Sequence, residues 1–234
     1  MENIEKAKFL AAKKAIAEIK EEEILGLGSG STMIYFVREL GRIVKERGWK
    51  IFVVPSSYQI HLEAIKSGLK ILDTYNLKEV DITIDGADEI DRELNLIKGG
   101  GGALTREKIL AMMSKKYLII ADYRKLVEKI GKKHPIPVEI LPFCWRYTTE
   151  KLRKYGEVKL RTLKNKKIGP VITDNGNFIV DIYLSNKEII EVKNVEEEIK
   201  KISGVIEVGI FTKIVDKAFI GYSDKVIELK NEKM

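Results

Sequence analysis

The chain has 234 residues, of which 44% are hydrophobic and 33% are charged, and its formal net charge is +7. This length and apolar content suffice for one substantial core or for two smaller lobes. The sequence contains no apolar run of about 18 residues, which a membrane span requires, and its acidic start is unlike a signal peptide. A single cysteine excludes an internal disulfide and fits a reducing compartment. We therefore expect a cytoplasmic protein with no membrane partner.

The basic charge balance leaves two classes of partner open, because it attracts both nucleic acids and phosphorylated metabolites. The basic cluster at residues 164–167 is short and has no aromatic residue on which a base could stack, so it indicates an exposed loop. We interpret the excess lysine as solvated surface and expect no nucleic-acid partner.

The first half of the chain alternates between helix-like and strand-like segments. Apolar residues recur at helical spacing in residues 4–19, about 33–44, 58–66 and the segment that starts at Leu104. Apolar or β-branched runs that are typical of strands lie at residues 24–25, 51–54, 80–84 and 117–120. This alternation predicts an α/β fold in which helices cover a parallel sheet.

An unusual loop follows each of these predicted strands. The loops are residues 26–32, 55–57, 85–91 and 121–125. In open parallel sheets, ligands bind beyond the carboxyl ends of the strands. We therefore expect the four loops to face the same side of one sheet and to form the functional site.

After about residue 130 the pattern changes to that of an antiparallel α+β lobe. Strands are predicted at residues 136–141, 157–163, 171–173 and 178–182, and helices at 149–155 and 195–202. Asp174-Asn175-Gly176-Asn177 is typical of a hairpin turn. Three further strands, at residues 206–211, 218–222 and 226–229, return to the first lobe. The predicted domains are residues 1–130 plus 205–234, and residues 131–204.

The glycine run at residues 99–102 is the most informative segment. Four consecutive glycines are unfavourable in helices and strands, so they indicate a place where the backbone approaches a ligand closely. Lys98 precedes the run, and Glu107 lies at the start of the helix that follows it. A flexible linker is the alternative, but linkers usually mix glycine with serine and lack flanking charges. The combination suits a small anionic substrate and a proton transfer.

The loop at residues 26–32, with sequence Gly-Leu-Gly-Ser-Gly-Ser-Thr, predicts an anion site. It lacks the Gly-Lys-Ser/Thr ending of a phosphate-binding P-loop, and Ser31 stands where a dinucleotide fingerprint has its third glycine. Its backbone amides and hydroxyl groups can bind a phosphate at the N-terminus of a helix. An ordinary N-capping turn is the alternative interpretation.

Four acidic residues, Asp85, Asp88, Glu89 and Asp91, follow the predicted strand at residues 80–84. Their spacing does not match a calcium loop, and both histidines are distant in sequence, so no metal site is predicted. We expect Asp85 and Asp88 to enter the site, where with Lys98 they can pass protons among substrate hydroxyls. Glu89 and Asp91 are expected to face solvent or to cap structure.

Glu107 is predicted to be the general base. The dipole of its helix favours the ionised carboxylate near the N-terminus. The alternative is a surface glutamate paired with Arg106 or Lys108, and only the preceding glycine loop favours the catalytic role.

Together, these motifs resemble the ribose-5-phosphate isomerase A family. The matching segments are residues 26–32, 54–57, 85–91, 98–108 and 121–125, in the order in which the family has them. The resemblance implies a Rossmann-like main domain, a smaller ferredoxin-like lobe, and assembly as a homodimer or homotetramer. It also implies interconversion of D-ribose 5-phosphate and D-ribulose 5-phosphate without metal or organic cofactor.

The resemblance also implies a role for individual residues. Glu107 would move the proton between C1 and C2, Asp85 and Asp88 would handle hydroxyl protons and ring opening, and Lys98 would stabilise negative charge on oxygen. The implied substrate contacts are Ser29, Gly30, Ser31, Thr32, Gly86, Ala87, Gly99, Gly100, Gly101 and Lys125. Tyr123 and Arg124 depart from the small residues expected before Lys125, which makes Lys125 the weakest assignment.

Three other functions are compatible with parts of this pattern. A sugar-phosphate sensor would bind a similar ligand, but it would not need Glu107 and the chain has no room for a separate DNA-binding domain. An amino-sugar phosphate deaminase would need a histidine arrangement that the sequence lacks; an acyl-CoA transferase on this scaffold is a further alternative. A basic nucleic-acid binder agrees with the charge alone, and steep salt dependence would reveal it.

Overall fold

The computed structural model describes residues 2–163, 168–184 and 192–231, so the basic cluster at residues 164–167 lies outside the described part. The elements in chain order are α1 (Glu2–Ile16), β1 (Ile24–Leu27), α2 (Ser31–Arg47), β2 (Phe52–Pro55), α3 (Tyr58–Lys66), β3 (Lys70–Ile71), β4 (Ile82–Asp85), β5 (Glu89–Ile90), β6 (Leu96–Ile97), α4 (Leu104–Met113), β7 (Tyr117–Asp122), β8 (Ile136–Ile140), α5 (Trp145–Leu152), β9 (Gly156–Leu160), β10 (Phe178–Leu184), α6 (Val192–Lys200), β11 (Val205–Val208), β12 (Ile210–Phe211), β13 (Lys217–Gly221) and β14 (Val226–Lys230).

The chain divides into two compact units. The first unit comprises residues 1–87, 106–126 and 214–234, and the second comprises residues 88–105 and 127–213. The first unit is discontinuous and includes the C-terminal strands β13 and β14, whereas the strand predicted at residues 206–211 lies in the second unit. The predicted first domain also contained residues 88–105, 127–130 and 205–213, which group with the second unit. The cause is that β5 and β6 pair with β12 in a separate small sheet.

The first unit is built on a seven-stranded sheet in the order β14-β13-β7-β4-β1-β2-β3. All neighbouring strands are parallel except β14, which runs antiparallel to β13 at the edge. Every residue of β4 and β7 is buried, as expected for central strands covered on both faces. The predicted α/β architecture with a parallel sheet is therefore confirmed.

The core of the first unit lies between this sheet and its helices. Four alanines of α1 are fully buried, which lets the helix pack closely against β7 and β13. Phe36, Val37 and Leu40 of α2 join Leu25 and Leu27 of β1 in the same apolar cluster. None of the described helices is long and apolar enough to cross a membrane.

The second unit contains a four-stranded antiparallel sheet in the order β11-β8-β10-β9. Its apolar side chains form a separate core with residues of α5 and α6. The predicted hairpin turn is present, because the N–H of Thr173 donates to the carbonyl of Asn177 at 2.9 Å. The strand predicted at residues 171–173 reduces to an isolated bridge between Ile172 and Phe178. Helix α5 starts at Trp145, four residues before its predicted start.

Gly209 separates the single strand predicted at residues 206–211 into β11 and β12. A Cβ atom on Gly209 would lie 2.2 Å from the carbonyl oxygen of Lys98. The N–H of Gly209 donates to the carbonyl of Pro137, and its own carbonyl accepts from the N–H of Lys98. This crossing point lets the chain leave the four-stranded sheet and join the three-stranded one.

We predict that Gly41→Ala destabilises the protein, although the same change in an ordinary helix stabilises it by about 0.5–1 kcal/mol. Gly41 is buried in α2, and an added Cβ would lie 2.4 Å from the backbone oxygen of Ser67. The overpacking should lower the free energy of unfolding by about 1–3 kcal/mol, measured by denaturant titration. Lys45→Ala, at an exposed position of α2, is the control and should change it little.

Candidate active site

Ser29 connects three of the loops that follow parallel strands. Its N–H donates to Oδ1 of Asp85 at 3.2 Å and to Oε1 of Glu107 at 3.1 Å. Its Oγ lies 2.8 Å from Oγ of Ser56, and its hydroxyl group donates to Oγ of Ser57 at 2.6 Å. The ends of β1, β2 and β4 are therefore brought together with α4, and the predicted convergence is confirmed for these loops.

Asp85 ends β4 and is fully buried. Its Oδ1 also accepts from the N–H of Gly86 at 2.7 Å, and its Oδ2 accepts from the phenol of Tyr117 at 3.0 Å. Burial raises the pKa of Tyr117 well above its usual value of 10, and the carboxylates of Asp85 and Glu107 raise it further. Tyr117 therefore remains a protonated donor to Asp85 at neutral pH.

Sequence reasoning missed Tyr117, although one signal was present. It begins a strand whose six residues are all buried and whose only other polar residue is Asp122, and a buried phenol needs a hydrogen-bond partner. The sequence could not show that the partner is Asp85, because 32 residues separate them and only the pairing of β4 with β7 brings them together.

Glu107 lies in the first turn of α4, as predicted, and only 4% of it is exposed. It shares the Ser29 N–H with Asp85, so two carboxylates accept from one donor. The alternative of a solvent-exposed surface glutamate is excluded by this burial.

The N-terminus of α2 is the candidate phosphate site. Gly30 precedes the helix with φ of 103°, a conformation that favours glycine, and Ser31 and Thr32 form its first turn. A 17-residue helix presents unpaired N–H groups and a positive dipole end there. The ammonium of Lys8, on α1, donates to the hydroxyl of Ser31 at 2.9 Å and adds positive charge. The amphipathic pattern of α1 did not reveal this neighbour.

Lys125 lies in a short 3-10 helix, Tyr123–Lys125, directly after β7. Asp122 caps this turn and pairs with Arg124, whose Nε lies 2.7 Å from Oδ1. Burial would raise the pKa of Asp122, but the hydrogen bonds from Arg124 outweigh it and lower the pKa. The side chain of Arg124 is thus paired with Asp122, the residue that caps its own turn. The half-buried Lys125 lies at the carboxyl end of the parallel strands, as the other loops do.

The glycine loop belongs to the second unit. Gly99 and Gly102 have φ of 103° and 84°, which explains why glycine is needed there. The N–H of Gly100 donates to Oδ2 of Asp88 at 2.7 Å, and a Cβ on Gly100 would lie 2.7 Å from Oδ1. The loop therefore holds the Asp88 carboxylate directly against its backbone.

Lys98 is buried in the second unit, with 2% exposed. Its N–H donates to the carbonyl of Gly209 at 2.8 Å, and its Nζ lies 5.7 Å from the centroid of the Phe211 ring. The aromatic face stabilises a buried ammonium by a cation–π interaction.

The expectation that Glu89 and Asp91 face solvent is wrong, and the alternative that they cap structure is confirmed. Glu89 is fully buried and accepts from the N–H groups of Gly131, Lys133 and His134. Asp91 accepts from the backbone of Glu93 and Asn95, and burial raises its pKa. Buried carboxylates of this kind organise loops by binding their backbone amides.

The predicted site residues thus fall into two groups. Those in the first unit are Ser29, Gly30, Ser31, Thr32, Asp85, Gly86, Ala87, Glu107 and Lys125, and those in the second unit are Asp88, Lys98, Gly99, Gly100 and Gly101. That both groups serve one ligand stays a prediction. In residues 2–163, 168–184 and 192–231, no three His, Cys, Asp or Glu side chains are grouped so as to hold a metal ion.

Comparison with known proteins gives a consistent result. Residues 52–225 match the family model described as ribose 5-phosphate isomerase A (phosphoriboisomerase A). A ribose-5-phosphate isomerase A from Archaeoglobus fulgidus is 49% identical over 92% of this chain and 95% of its own length. A relative of the same name from Pyrococcus abyssi is 43% identical over 97% of this chain and 99% of its own.

Two solved structures resemble the whole fold. The ribose 5-phosphate isomerase A of Methanocaldococcus jannaschii has a TM-score of 0.91 and 41% identity, over 97% of this chain and 99% of the other. A D-ribose-5-phosphate isomerase in complex with phospho-erythronic acid has a TM-score of 0.93 and 41% identity, with the same coverage. The similarity supports the Rossmann-like α/β fold with a second lobe.

We predict that Gly28→Ala destabilises the protein through Asp85. An added Cβ would lie 1.8 Å from Oδ1 of Asp85 and 2.0 Å from its Cγ, and the buried side chain has little room to move. The free energy of unfolding should fall by about 1–3 kcal/mol. In an Asp85→Ala background the substitution should cost far less, because the clashing carboxylate is absent. Equal costs in the two backgrounds, measured by denaturant titration, would contradict this account of the close approach.

Proposed function

This chain belongs to the ribose-5-phosphate isomerase A family, and we propose that it interconverts D-ribose 5-phosphate and D-ribulose 5-phosphate with Glu107 as the base. One observation carries the assignment of the base. Glu107 and Asp85 are both buried at the carboxyl ends of the parallel strands, and both accept from the N–H of Ser29. A buried carboxylate held at the ligand-binding edge of a sheet is placed for proton transfer.

In the open-chain aldose, the proton on C2 is acidified by the neighbouring C1 carbonyl. Glu107 removes that proton, and the electron pair moves to the C1 oxygen to give an enediolate. The protonated Glu107 then returns the proton to C1. The proton of the C2 hydroxyl passes to the C1 oxygen, so that C2 becomes the ketone and C1 carries the hydroxyl. One side chain therefore acts first as base and then as acid.

The other residues in the first unit are assigned to substrate binding and hydroxyl chemistry. The amides of Gly30, Ser31 and Thr32 at the start of α2 bind the phosphate, with positive charge from Lys8 and Lys125. Asp85 orients the sugar hydroxyls and passes protons during ring opening. Its fixed hydrogen bonds to Ser29, Gly86 and Tyr117 keep it in one orientation.

The residues in the second unit are assigned to the same substrate from their motifs in the sequence. The ammonium of Lys98 and the amides of residues 99–101 stabilise the negative oxygen of the enediolate, and Asp88 shares the hydroxyl chemistry with Asp85. Positively charged and N–H donors fixed before the reaction lower the barrier without reorganisation. The phospho-erythronic acid in a 41% identical relative supports a phosphorylated sugar derivative as ligand here.

We further propose a cytoplasmic homodimer or homotetramer that binds no nucleic acid. The family supports the assembly, and the single cysteine supports the compartment. Exposed apolar side chains on α3 and α4, such as Leu62, Ile65 and Met112, are compatible with contact between copies.

We predict that Glu107→Gln lowers kcat by about 100- to 10,000-fold with little change in substrate affinity, because the base acts in the transition state. Glutamine can still accept the Ser29 N–H bond, so the fold should be retained. A coupled assay of ribose 5-phosphate isomerisation measures kcat, and calorimetry measures affinity. Glu46→Gln, at an exposed site on α2, is the matched control. Near-normal turnover of Glu107→Gln would remove it from this role.

We also predict that the isomerase keeps its full rate after exhaustive chelation and dialysis. In the proposed mechanism the enediolate charge is stabilised by Lys98 and backbone amides, so no metal ion takes part in a step. The rate is compared before and after treatment with EDTA, and again after each of Mg²⁺, Mn²⁺ and Zn²⁺ is added back. A loss that one ion restores would contradict the proposal.

A further inference from the structure

Arg161 binds the backbone of the glycine loop. It follows β9, and its Nη1 donates to the carbonyl of Gly99 at 2.7 Å and to the carbonyl of Gly100 at 3.2 Å. All three residues belong to the second unit. Two consecutive carbonyls of one loop are therefore held by one guanidinium group.

Asp181 fixes the orientation of Arg161. The Nε of Arg161 donates to Oδ2 of Asp181 at 2.9 Å, and its Nη2 donates to Oδ1, so the pair is bidentate. Asp181 lies on β10 opposite Lys159 of β9, which makes Arg161, two residues further along the chain, its diagonal neighbour. The side chains of Arg161 and Asp181 are only 15% and 12% exposed. A bidentate pair that is largely shielded from water holds the guanidinium rigidly.

The peptide between Gly99 and Gly100 links Arg161 to Asp88. In a trans peptide the C=O and N–H groups point to opposite sides. The carbonyl of Gly99 faces Arg161, while the N–H of Gly100 donates to Oδ2 of Asp88 at 2.7 Å. The guanidinium of Arg161 and the carboxylate of Asp88 therefore bind the two ends of one peptide dipole. Each bond favours the same orientation of the peptide plane, so each stabilises the geometry of the other.

We propose that Arg161, oriented by Asp181, is a positioning residue for isomerisation: it sets the Gly99–Gly100 peptide and through it the carboxylate of Asp88. The inference rests on the proposed function, in which Asp88 handles hydroxyl protons of the substrate. Arg161 does not react. Its geometry needs a planar fork, because one ammonium cannot bond two carbonyls and both oxygens of Asp181 at once.

The test is Arg161→Lys, which keeps the charge and most of the aliphatic stem. We expect kcat for ribose 5-phosphate to fall by about 10- to 100-fold, mainly without a change in KM, because a small displacement of a reacting group has costs of this size. Arg153→Lys, in an exposed pair with Glu150 of the same unit, is the matched control and should keep the wild-type kcat. If Arg161→Lys does not fold, Asp181→Asn replaces it, with the same sign of effect.

A double-mutant cycle with Asp88→Ala separates positioning from a general loosening of the loop. In that background Arg161→Lys should cost less than about threefold in kcat, because the carboxylate that it positions is gone. A kcat within about twofold of wild type for the single variant overturns the inference, and so does an equal loss in both backgrounds. If wild type does not isomerise ribose 5-phosphate, the proposed function fails instead. If wild type is active, Glu107→Gln is inactive and Arg161→Lys is normal, only this inference fails.

Discussion

The arrangement of the first unit depends on one backbone N–H group, that of Ser29, which donates to two buried carboxylates. Carboxylates that are buried close together are costly to desolvate, and hydrogen-bond donors offset that cost. The first unit supplies such donors from Ser29, Gly86 and Tyr117. Position 28 requires a glycine because the Asp85 carboxylate occupies the space that a Cβ atom would need. The loop sequence, the end of β4 and the start of α4 are thus constrained by the same pair of acids.

The second unit also holds a carboxylate in a fixed position, but it does so with a different set of contacts. Its glycine loop binds Asp88 through one amide, and Arg161 holds the opposite side of the same peptide. Where the first unit uses a phenol and two backbone N–H groups, the second uses an ion pair that is shielded from water. Both devices fix carboxylates before any substrate arrives, which is the condition for electrostatic catalysis without reorganisation.

The fold was predictable from the sequence where periodicity and composition are local. The strands at residues 80–84 and 117–120 and the helix at residues 58–66 are continuous patterns, and the structure has them close to the predicted bounds. The break at Gly209 was not predictable, because its cause is a close approach to Lys98, far away in the chain. The grouping of residues 88–105 with the second unit has the same kind of cause, the pairing of β6 with β12.

The candidate site divides in the same way. The sequence indicates Glu107, Asp85 and the glycine run by their residue types, because each lies beside the end of a predicted strand or the start of a predicted helix. It does not indicate Lys8, Tyr117 or Arg161, since the hydrogen bond that places each of them in the site is made to a residue at least 23 positions away. For Glu89 and Asp91 the sequence left solvent exposure and capping open, and the structure shows that both bind backbone amides inside.

The buried phenol of Tyr117 has a consequence for behaviour in alkali. Its pKa is raised well above 10, whereas in the unfolded chain it loses its proton near that value. Below pH 10 the phenol is neutral in both states and its ionisation does not affect stability. Above it the unfolded chain sheds a proton that the native protein retains, so ionisation favours unfolding as alkalinity increases. A fall in turnover on the basic side of neutrality, with the protein still folded, therefore has to originate from some group other than this one.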